Sequence, residues 1–430
     1  MQKQSTFRKY AALISLGFMG GTIYTTTYIR FTFYTQLLDA LNMSNVQLGL
    51  ASTITTGLYM IIGIPGAYLA DKFEAKKVIL VSSGGVALLA LLFPVLVHGY
   101  TTYLLFQCGN TIVMAAYWGC LIKYINNLSG EGESGNSFGT YYMINGLSGA
   151  LGNAIPLWVS THFGANSLNI VVVSMGVVSA VGTVLILLFL DSEKQLAERG
   201  IYLKGDEPIQ LKHIVYVLKW PGTYMLTFAY CSTIILYENM TYMGPYLTEV
   251  FNMDESLSSA LAIVRQYGTL VLSPLGGFMC DKVFKATYKW YITSFIIIAA
   301  LYAGLAFMFG PETPVMVVGV YTVLPAAASM ALYGVTYSII RELHIPAMIS
   351  GTAVGLSSTI ASVESMILPP LFGYFLDSFG TNGYRYVFLA LVVDCILGIL
   401  NAMWVGSHNR KCLAGERTMN LSALENAESK

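Results

Sequence analysis

Twelve stretches of this chain are each apolar over about the twenty residues that a helix needs to cross a bilayer. They cover 11–35, 47–70, 78–98, 103–125, 138–160, 168–190, 221–243, 258–280, 289–309, 315–339, 351–375 and 384–406, and are called spans 1 to 12 below. Of the 430 residues, 55% are hydrophobic and 11% charged, whereas soluble domains carry about 25% charged residues. So few charges cannot coat a surface in water, and the solvent of this chain is mostly lipid. The sequence predicts an all-α membrane protein of twelve transmembrane helices in two pseudo-symmetric six-helix bundles.

Connections between the spans are short except the middle one. This divides the chain into an N-terminal bundle over 1–190, a connecting loop over 191–220, a C-terminal bundle over 221–407 and a tail over 408–430. The apolar character of the first span runs on through Ile23 and Tyr28 to Phe33, beyond a signal-peptide core, and predicts an uncleaved first helix. Cytoplasmic loops retain lysine and arginine. Placing the N-terminus inside puts Lys3, Arg8, Lys9, Lys72, Lys76, Lys77, the five basic residues of 191–220, Lys282, Lys285, Lys289, Arg341 and the basic tail inside, and leaves Arg385 outside. Both termini are expected in the cytoplasm of a cell with this protein in its inner or plasma membrane.

The two halves repeat. At an offset of 210, residues 43–72 align with 253–282 without a gap, and Met43/Met253, Gly66/Gly276, Asp71/Asp281 and Lys72/Lys282 are identical. The matches fall at corresponding helix ends. Parallel repeats related by an axis along the membrane normal are one design of secondary transporters, with substrate held at mid-membrane between them.

Twelve spans in two halves, a long central loop and an Asp-Lys pair after spans 2 and 8 resemble the major facilitator superfamily. Its loop signature is Gly-x-x-x-Asp-Arg/Lys-x-Gly-Arg/Lys-Arg/Lys. The second copy, Gly277-Phe-Met-Cys-Asp281-Lys282, matches the first part; in the first copy Ala67 stands at the glycine and Gly66 lies one residue early. Both copies lack the turn glycine, with Glu74 and Phe284 in its place. The resemblance implies that Asp71, Lys72, Asp281 and Lys282 form a conformational latch, and that spans 1, 4, 5, 7, 8, 10 and 11 line a central cavity. Tyr28-Ile-Arg30-Phe-Thr-Phe with Val46-Gln-Leu-Gly49, and Pro245-Tyr-Leu-Thr-Glu-Val250 leading to Cys280-Asp281-Lys282, resemble the organophosphate and organic-anion antiporter branch. There an arginine on the first helix contacts the substrate phosphate. The second arginine of that branch, on helix 7, has no counterpart in Leu236-Tyr237-Glu238.

Ionisable side chains inside a membrane are costly and mark function by default. Arg30 (span 1), Glu238 (span 7), Arg265 (span 8), Glu364 (span 11) and Asp394 (span 12) stand out. At 1.5 Å per residue, Arg30, Glu238 and Arg265 all lie roughly 10 Å below the outer surface. Glu238 and Arg265 are expected to neutralise each other. Arg30 is then left for a planar anionic group, which a guanidinium holds in bidentate fashion; snorkelling to headgroups is its structural alternative. Glu364 lies near mid-membrane, where desolvation favours the neutral acid, and is a candidate for proton coupling. Asp394 is expected to make a structural polar contact, and Lys123 to snorkel at the inner end of span 4.

Uncharged polar residues extend the candidate site. Tyr24 and Tyr28 sit four apart and share a helix face. With Tyr117, Tyr141, Asn145 and Tyr237 they are expected to bind substrate through hydroxyl and amide groups. Gly146, Gly149, Gly152 and Pro156 give span 5 a small-residue face for close packing.

Other chemistry is excluded. No phosphate-binding loop is present for ATP-driven pumping. The six cysteines and five histidines show no metal-ligand spacing, no serine nucleophile elbow appears, and zero net charge gives no reason to expect nucleic acid. The sequence therefore predicts no enzyme, no cofactor and no metal. It predicts a secondary transporter, monomeric, moving a small organic anion (carboxylate, sulfonate or phosphate ester) with a co-transported proton or a counter-anion. A proton-coupled exporter of cationic or amphipathic compounds is the alternative, and a non-transporting sensor on the same scaffold a more distant one.

Overall fold

The computed structural model of the chain describes residues 6–128, 134–163, 167–198, 217–310, 312–345 and 347–417. Most of the connecting loop and the end of the tail fall outside the described residues. Every element among those described is helical, as lipid demands: with no water to satisfy N–H and C=O groups, each segment must bond its own backbone.

Spans 2, 5, 6, 9 and 12 are continuous: Asn45–Lys72, Ser134–Phe163, Ser167–Phe189, Thr287–Phe307 and Gly383–Leu413. Span 3 is Ala75–Leu91 with a short turn, Phe93–Leu96. The other six are interrupted. Span 4 is Tyr100–Met114 and Tyr117–Leu128. Span 7 runs Pro221–Glu238 and then tightens into a 3-10 turn, Asn239–Tyr242. Span 8 is Glu255–Gln266, a 3-10 stretch Gly268–Leu272, Ser273–Phe278 and a wide π turn Met279–Phe284. Span 10 passes from Val315–Tyr333 to a 3-10 segment Thr336–Leu343, and span 11 breaks between Ala347–Ala361 and Glu364–Phe379.

Span 1 corrects the expected boundaries of 11–35. Its α-helix is Thr6–Ile23, followed by a turn, a 3-10 segment Ile29–Phe31 and a separate helix Tyr34–Leu41. The break coincides with Thr25-Thr26-Thr27. Hydroxyls at and just before it take backbone carbonyls: Thr22 Oγ1 donates to Phe18 O at 3.0 Å and Thr25 Oγ1 to Thr22 O at 2.7 Å. Such bonds compete with the helical ladder. Ser358, Thr359 and Ser362 do the same before the break in span 11. Among the described residues, six segments are long and apolar enough to cross a membrane: Asn45–Gly63, Tyr100–Ile122, Leu168–Phe189, Thr287–Phe307, Val315–Tyr333 and Ala353–Leu413, the last covering spans 11 and 12.

The chain packs as two units. The first holds residues up to 206 together with Asn252–Gly268 and Pro369–Gly373; the second holds the rest. Within the first, span 1 packs on span 5, span 3 on span 6 and span 2 on span 4. Within the second, span 7 packs on span 11, span 9 on span 12 and the Ser273–Phe278 part of span 8 on span 10. Shifted by six spans, these pairs are the same, so the sequence repeat is also a packing repeat. Its glycine identity has a physical reason. A Cβ on Gly66 would overlap the carbonyl oxygen of Ala115, and one on Gly276 the carbonyl oxygen of Ala331. Spans 2 and 4, and spans 8 and 10, meet backbone to backbone at equivalent positions.

Asn153 on span 5 ties three elements of the first unit together. Its amide donates to Tyr267 OH at 3.0 Å and to Gly149 O at 2.9 Å, and its carbonyl accepts from Thr32 at 3.3 Å. Asn153→Leu is expected to destabilise the purified protein by about 1–3 kcal/mol, because it strands two buried hydroxyls. A thermal melt in detergent measures this.

Candidate functional site

The break in span 1 is where the predicted residues converge. Arg30 sits in the 3-10 segment and is buried, 8% exposed. Its guanidinium lies 5.2 Å from the centre of the Phe31 ring. Phe31 stacks on Tyr28 (centroids 5.1 Å apart), Tyr28 on Tyr24 (5.9 Å), and Tyr24 meets the edge of Tyr117 at 6.2 Å. Tyr59 and Tyr141 lie within electrostatic reach of Tyr24, and Arg30 within reach of Tyr103. Tyr141 OH accepts the Asn145 amide at 3.1 Å. Gly20 lies against both: a Cβ there would overlap the Tyr141 hydroxyl. Arg30, Tyr24, Tyr28, Tyr117, Tyr141 and Asn145 therefore form one cluster in the first unit.

Non-helical backbone at membrane depth is tolerated where neighbours take over its hydrogen bonds. Gln107 on span 4 does so, donating to Thr26 O at 3.2 Å and to Tyr103 OH at 2.8 Å. Other polar atoms beside it have no such role. Thr26 Oγ1, Gln107 Oε1, both amide atoms of Asn110 and Tyr117 OH are buried without a hydrogen bond to the described residues. Buried polar groups are nearly always hydrogen-bonded, so these orphaned atoms have valences that water or a polar solute can meet. Removing such a hydroxyl costs the fold little. Tyr117→Phe is expected to raise the thermal midpoint while lowering solute uptake, two opposite signs measured on one preparation.

Tyr237 lies in the second unit, stacked on Tyr333 at 4.9 Å. There Ser365 Oγ is 3.0 Å from Glu238 Oε2 and 3.0 Å from Glu364 Oε1. Glu238 ends the α-helical part of span 7, and Glu364 opens the second half of span 11. Arg265, 1% exposed, is in the last turn of Glu255–Gln266. Asp394 on span 12 hydrogen-bonds Ser232 on span 7, a polar tie between packed helices.

Of the latch residues, Asp281 and Lys282 are exposed on the wide turn Met279–Phe284. Asp71 and Lys72 end span 2, and their side chains, like that of Lys123, lie outside the described residues. Sequence reading missed Tyr59, Tyr103 and Ser365. Each is one of many tyrosines or serines in apolar runs, and only the tertiary fold distinguishes it. A cavity of about 430 Å³ lined by Ile155, Val159, Val173 and neighbours on spans 3, 5 and 6 is almost wholly apolar and shares no residue with the cluster.

The Major Facilitator Superfamily model matches residues 16–343 and 226–419. The chain belongs to that superfamily. Membership in it makes the chain a membrane transporter and not an enzyme. Inner membrane protein YqcE of Escherichia coli is 26% identical over 405 residues, 90% of this chain and 92% of that one. A probable sulfoacetate transporter, SauU of Cupriavidus necator, is 23% identical over 391 residues, covering 84% and 85%. The human glucose-6-phosphate exchanger SLC37A1 is 22% identical over 425 residues, covering 83% and 76%. Among solved structures, that of the nucleoside transporter NupG superposes with a TM-score of 0.69 over 94% of this chain and 99% of that one, at 13% identity. This likeness carries the fold alone. The predicted likeness to the superfamily and its organic-anion branch is borne out by these matches.

Proposed function

We propose that this superfamily member moves a small organic anion, a carboxylate, sulfonate or phosphate ester, across an inner or plasma membrane by alternating access. Arg30 holds the anionic group. Tyr24, Tyr28, Tyr117, Tyr141 and Asn145, with the free valences of Thr26 and Asn110, take the remaining polar atoms. The observation that carries this is the cluster itself: a buried guanidinium at a helix break, a stacked aromatic path and unsatisfied polar atoms in one unit. A guanidinium suits carboxylate, sulfonate and phosphate geometry alike. Two sequence relatives with anionic solutes in their names, sulfoacetate and glucose-6-phosphate, support the class. The protein works as a monomer with both termini in the cytoplasm, the side that holds its lysines and arginines.

The test is uptake of radiolabelled sulfoacetate into proteoliposomes, competed by organic anions and by lipophilic cations. Competition by sulfonates, carboxylates or phosphate esters is the expected result. Competition by lipophilic cations alone would replace this reading with the export of cationic compounds through the carboxylates of spans 7 and 11.

A further inference from the structure

We propose that His408 is a pH switch: its neutral ring holds the start of the tail folded back on the end of the span 12 helix, and protonation of the ring lets it go. His408 lies just beyond span 12, on the helix Gly383–Leu413, and is 1% exposed. The chain turns back after it. Gly415, at φ 74°, takes the left-handed conformation that favours glycine. Its N–H donates to Cys412 O at 3.0 Å, and Glu416 N–H donates to Lys411 O at 2.9 Å. This pair of bonds is a glycine C-cap. The reversal returns Arg417 to the helix it has just left, with Nη1 3.3 Å from His408 Nδ1. On the other edge of the ring, Nε2 is 3.4 Å from Cys412 Sγ.

The partners fix the protonation state. A guanidinium donates and never accepts, so Nδ1 must offer Arg417 a lone pair. The neutral ring then carries its hydrogen on Nε2, on the side of the Cys412 sulfur. An imidazolium has N–H at both nitrogens. It would set N–H against N–H at Arg417, and one positive charge against another. The rest of the surroundings belong to the same unit. Trp220, at the end of the connecting loop, meets the ring with its edge at 5.2 Å and donates its indole N–H to Leu343 O at 2.9 Å. His344, from the connection between spans 10 and 11, is exposed, with Nε2 2.8 Å from Asn409 Oδ1. Glu342 beside it accepts from the backbone N–H groups of Thr287 and Tyr288. Lys219, Arg341, Arg410, Lys411 and Glu416 are exposed. Burial first, and then Arg417 and His344, hold the imidazole below its ordinary 6.5, against an opposing pull from the Leu343 carbonyl. A histidine held low binds fewer protons docked than released. Docking is therefore complete above the ordinary value and is lost as pH falls below it. The order of the tail thus follows the pH on the side that carries the basic loops. This goes beyond the transport reading and needs neither its solute nor its coupling ion.

The experiment uses the full-length protein in lipid nanodiscs, with isotope-labelled histidine followed by magnetic resonance as pH is lowered. One resonance, missing from His408→Gln, is expected to titrate below about pH 6.5. Arg417→Gln keeps an N–H donor without the charge. It should raise that midpoint by about half a pH unit, roughly a threefold change in proton affinity. Hydrogen exchange then follows the amides of Ala414, Gly415 and Glu416, which bond back to Arg410, Cys412 and Lys411. Corrected for the intrinsic effect of pH, their exchange should speed up by about threefold or more between about pH 7.5 and about pH 5.5 in the wild type. It should stay constant in His408→Gln, whose side chain is neutral throughout. A His408 midpoint at or above the ordinary value, or an equal acid response in His408→Gln, overturns the inference. Arg417 is only half-buried, so its variant keeps the test open where His408→Gln fails to fold. A midpoint unmoved in Arg417→Gln overturns the inference as well.

Discussion

Arg30→Lys is expected to cut anion uptake by tenfold to a hundredfold while the amount of protein in the membrane stays near the wild-type level. Lysine keeps the charge, so a role in general electrostatic attraction predicts little change. What lysine lacks is the planar fork. It makes one point contact where the guanidinium makes two parallel bonds, and each charge-assisted bond contributes roughly 1.5–3 kcal/mol. It also gives up the placement of a delocalised cation 5.2 Å from the Phe31 ring centre. The measurement is initial uptake rate against substrate concentration, normalised to protein in the vesicle. Unchanged transport by this variant would return Arg30 to a role in snorkelling or packing. A loss of uptake matched by a loss of protein would mean that the arginine serves the fold.

Gly276→Ala is expected to destabilise the protein severely, and its neighbour Gly277→Ala to be neutral or mildly stabilising. The difference lies in what the new methyl meets. At Gly276 it overlaps the carbonyl oxygen of Ala331, a backbone atom with no rotamer to change; at Gly277 nothing lies within 4 Å. Overpacking costs about 1–3 kcal/mol, and more where the obstacle is backbone. At the open position, alanine instead gains up to about 1 kcal/mol of helix propensity. Gly66→Ala, against the Ala115 carbonyl, should behave like Gly276→Ala, and Gly63→Ala, with nothing within 4 Å, like Gly277→Ala. Thermal unfolding of the four purified variants separates them. Equal effects at Gly276 and Gly277 would remove the backbone contact as the reason for the repeat.

That comparison also shows what the sequence made legible. The offset of 210 picked out Gly66 and Gly276, and both lie where helices meet backbone to backbone. The family signature picked out Gly277 instead, where a Cβ would meet nothing within 4 Å. Lipid as solvent made the helical class and the two-half layout readable, because a bilayer leaves few alternatives. The tyrosine cluster was partly readable: Tyr24 and Tyr28 lie four apart, and their rings stack even though the α-helix has ended at Ile23. The helix breaks were harder to see. A run such as Thr25-Thr26-Thr27 is apolar enough to pass as membrane helix, and only the Thr25 hydroxyl bond to Thr22 O reveals a competing geometry. Ser365 was invisible, since two carboxyls from different spans meet at its one oxygen.

The interrupted spans have a consequence for how this protein is made. A ribosome feeding the chain into the translocon delivers segments such as Leu168–Phe189 and Thr287–Phe307, which partition into lipid unaided. Span 8 is made of short pieces, Glu255–Gln266 and Ser273–Phe278, with the backbone at Gly276 packed against Ala331 of span 10. Span 8 is therefore expected to be held in the membrane more firmly once span 10 has followed it, a late helix retaining an earlier one.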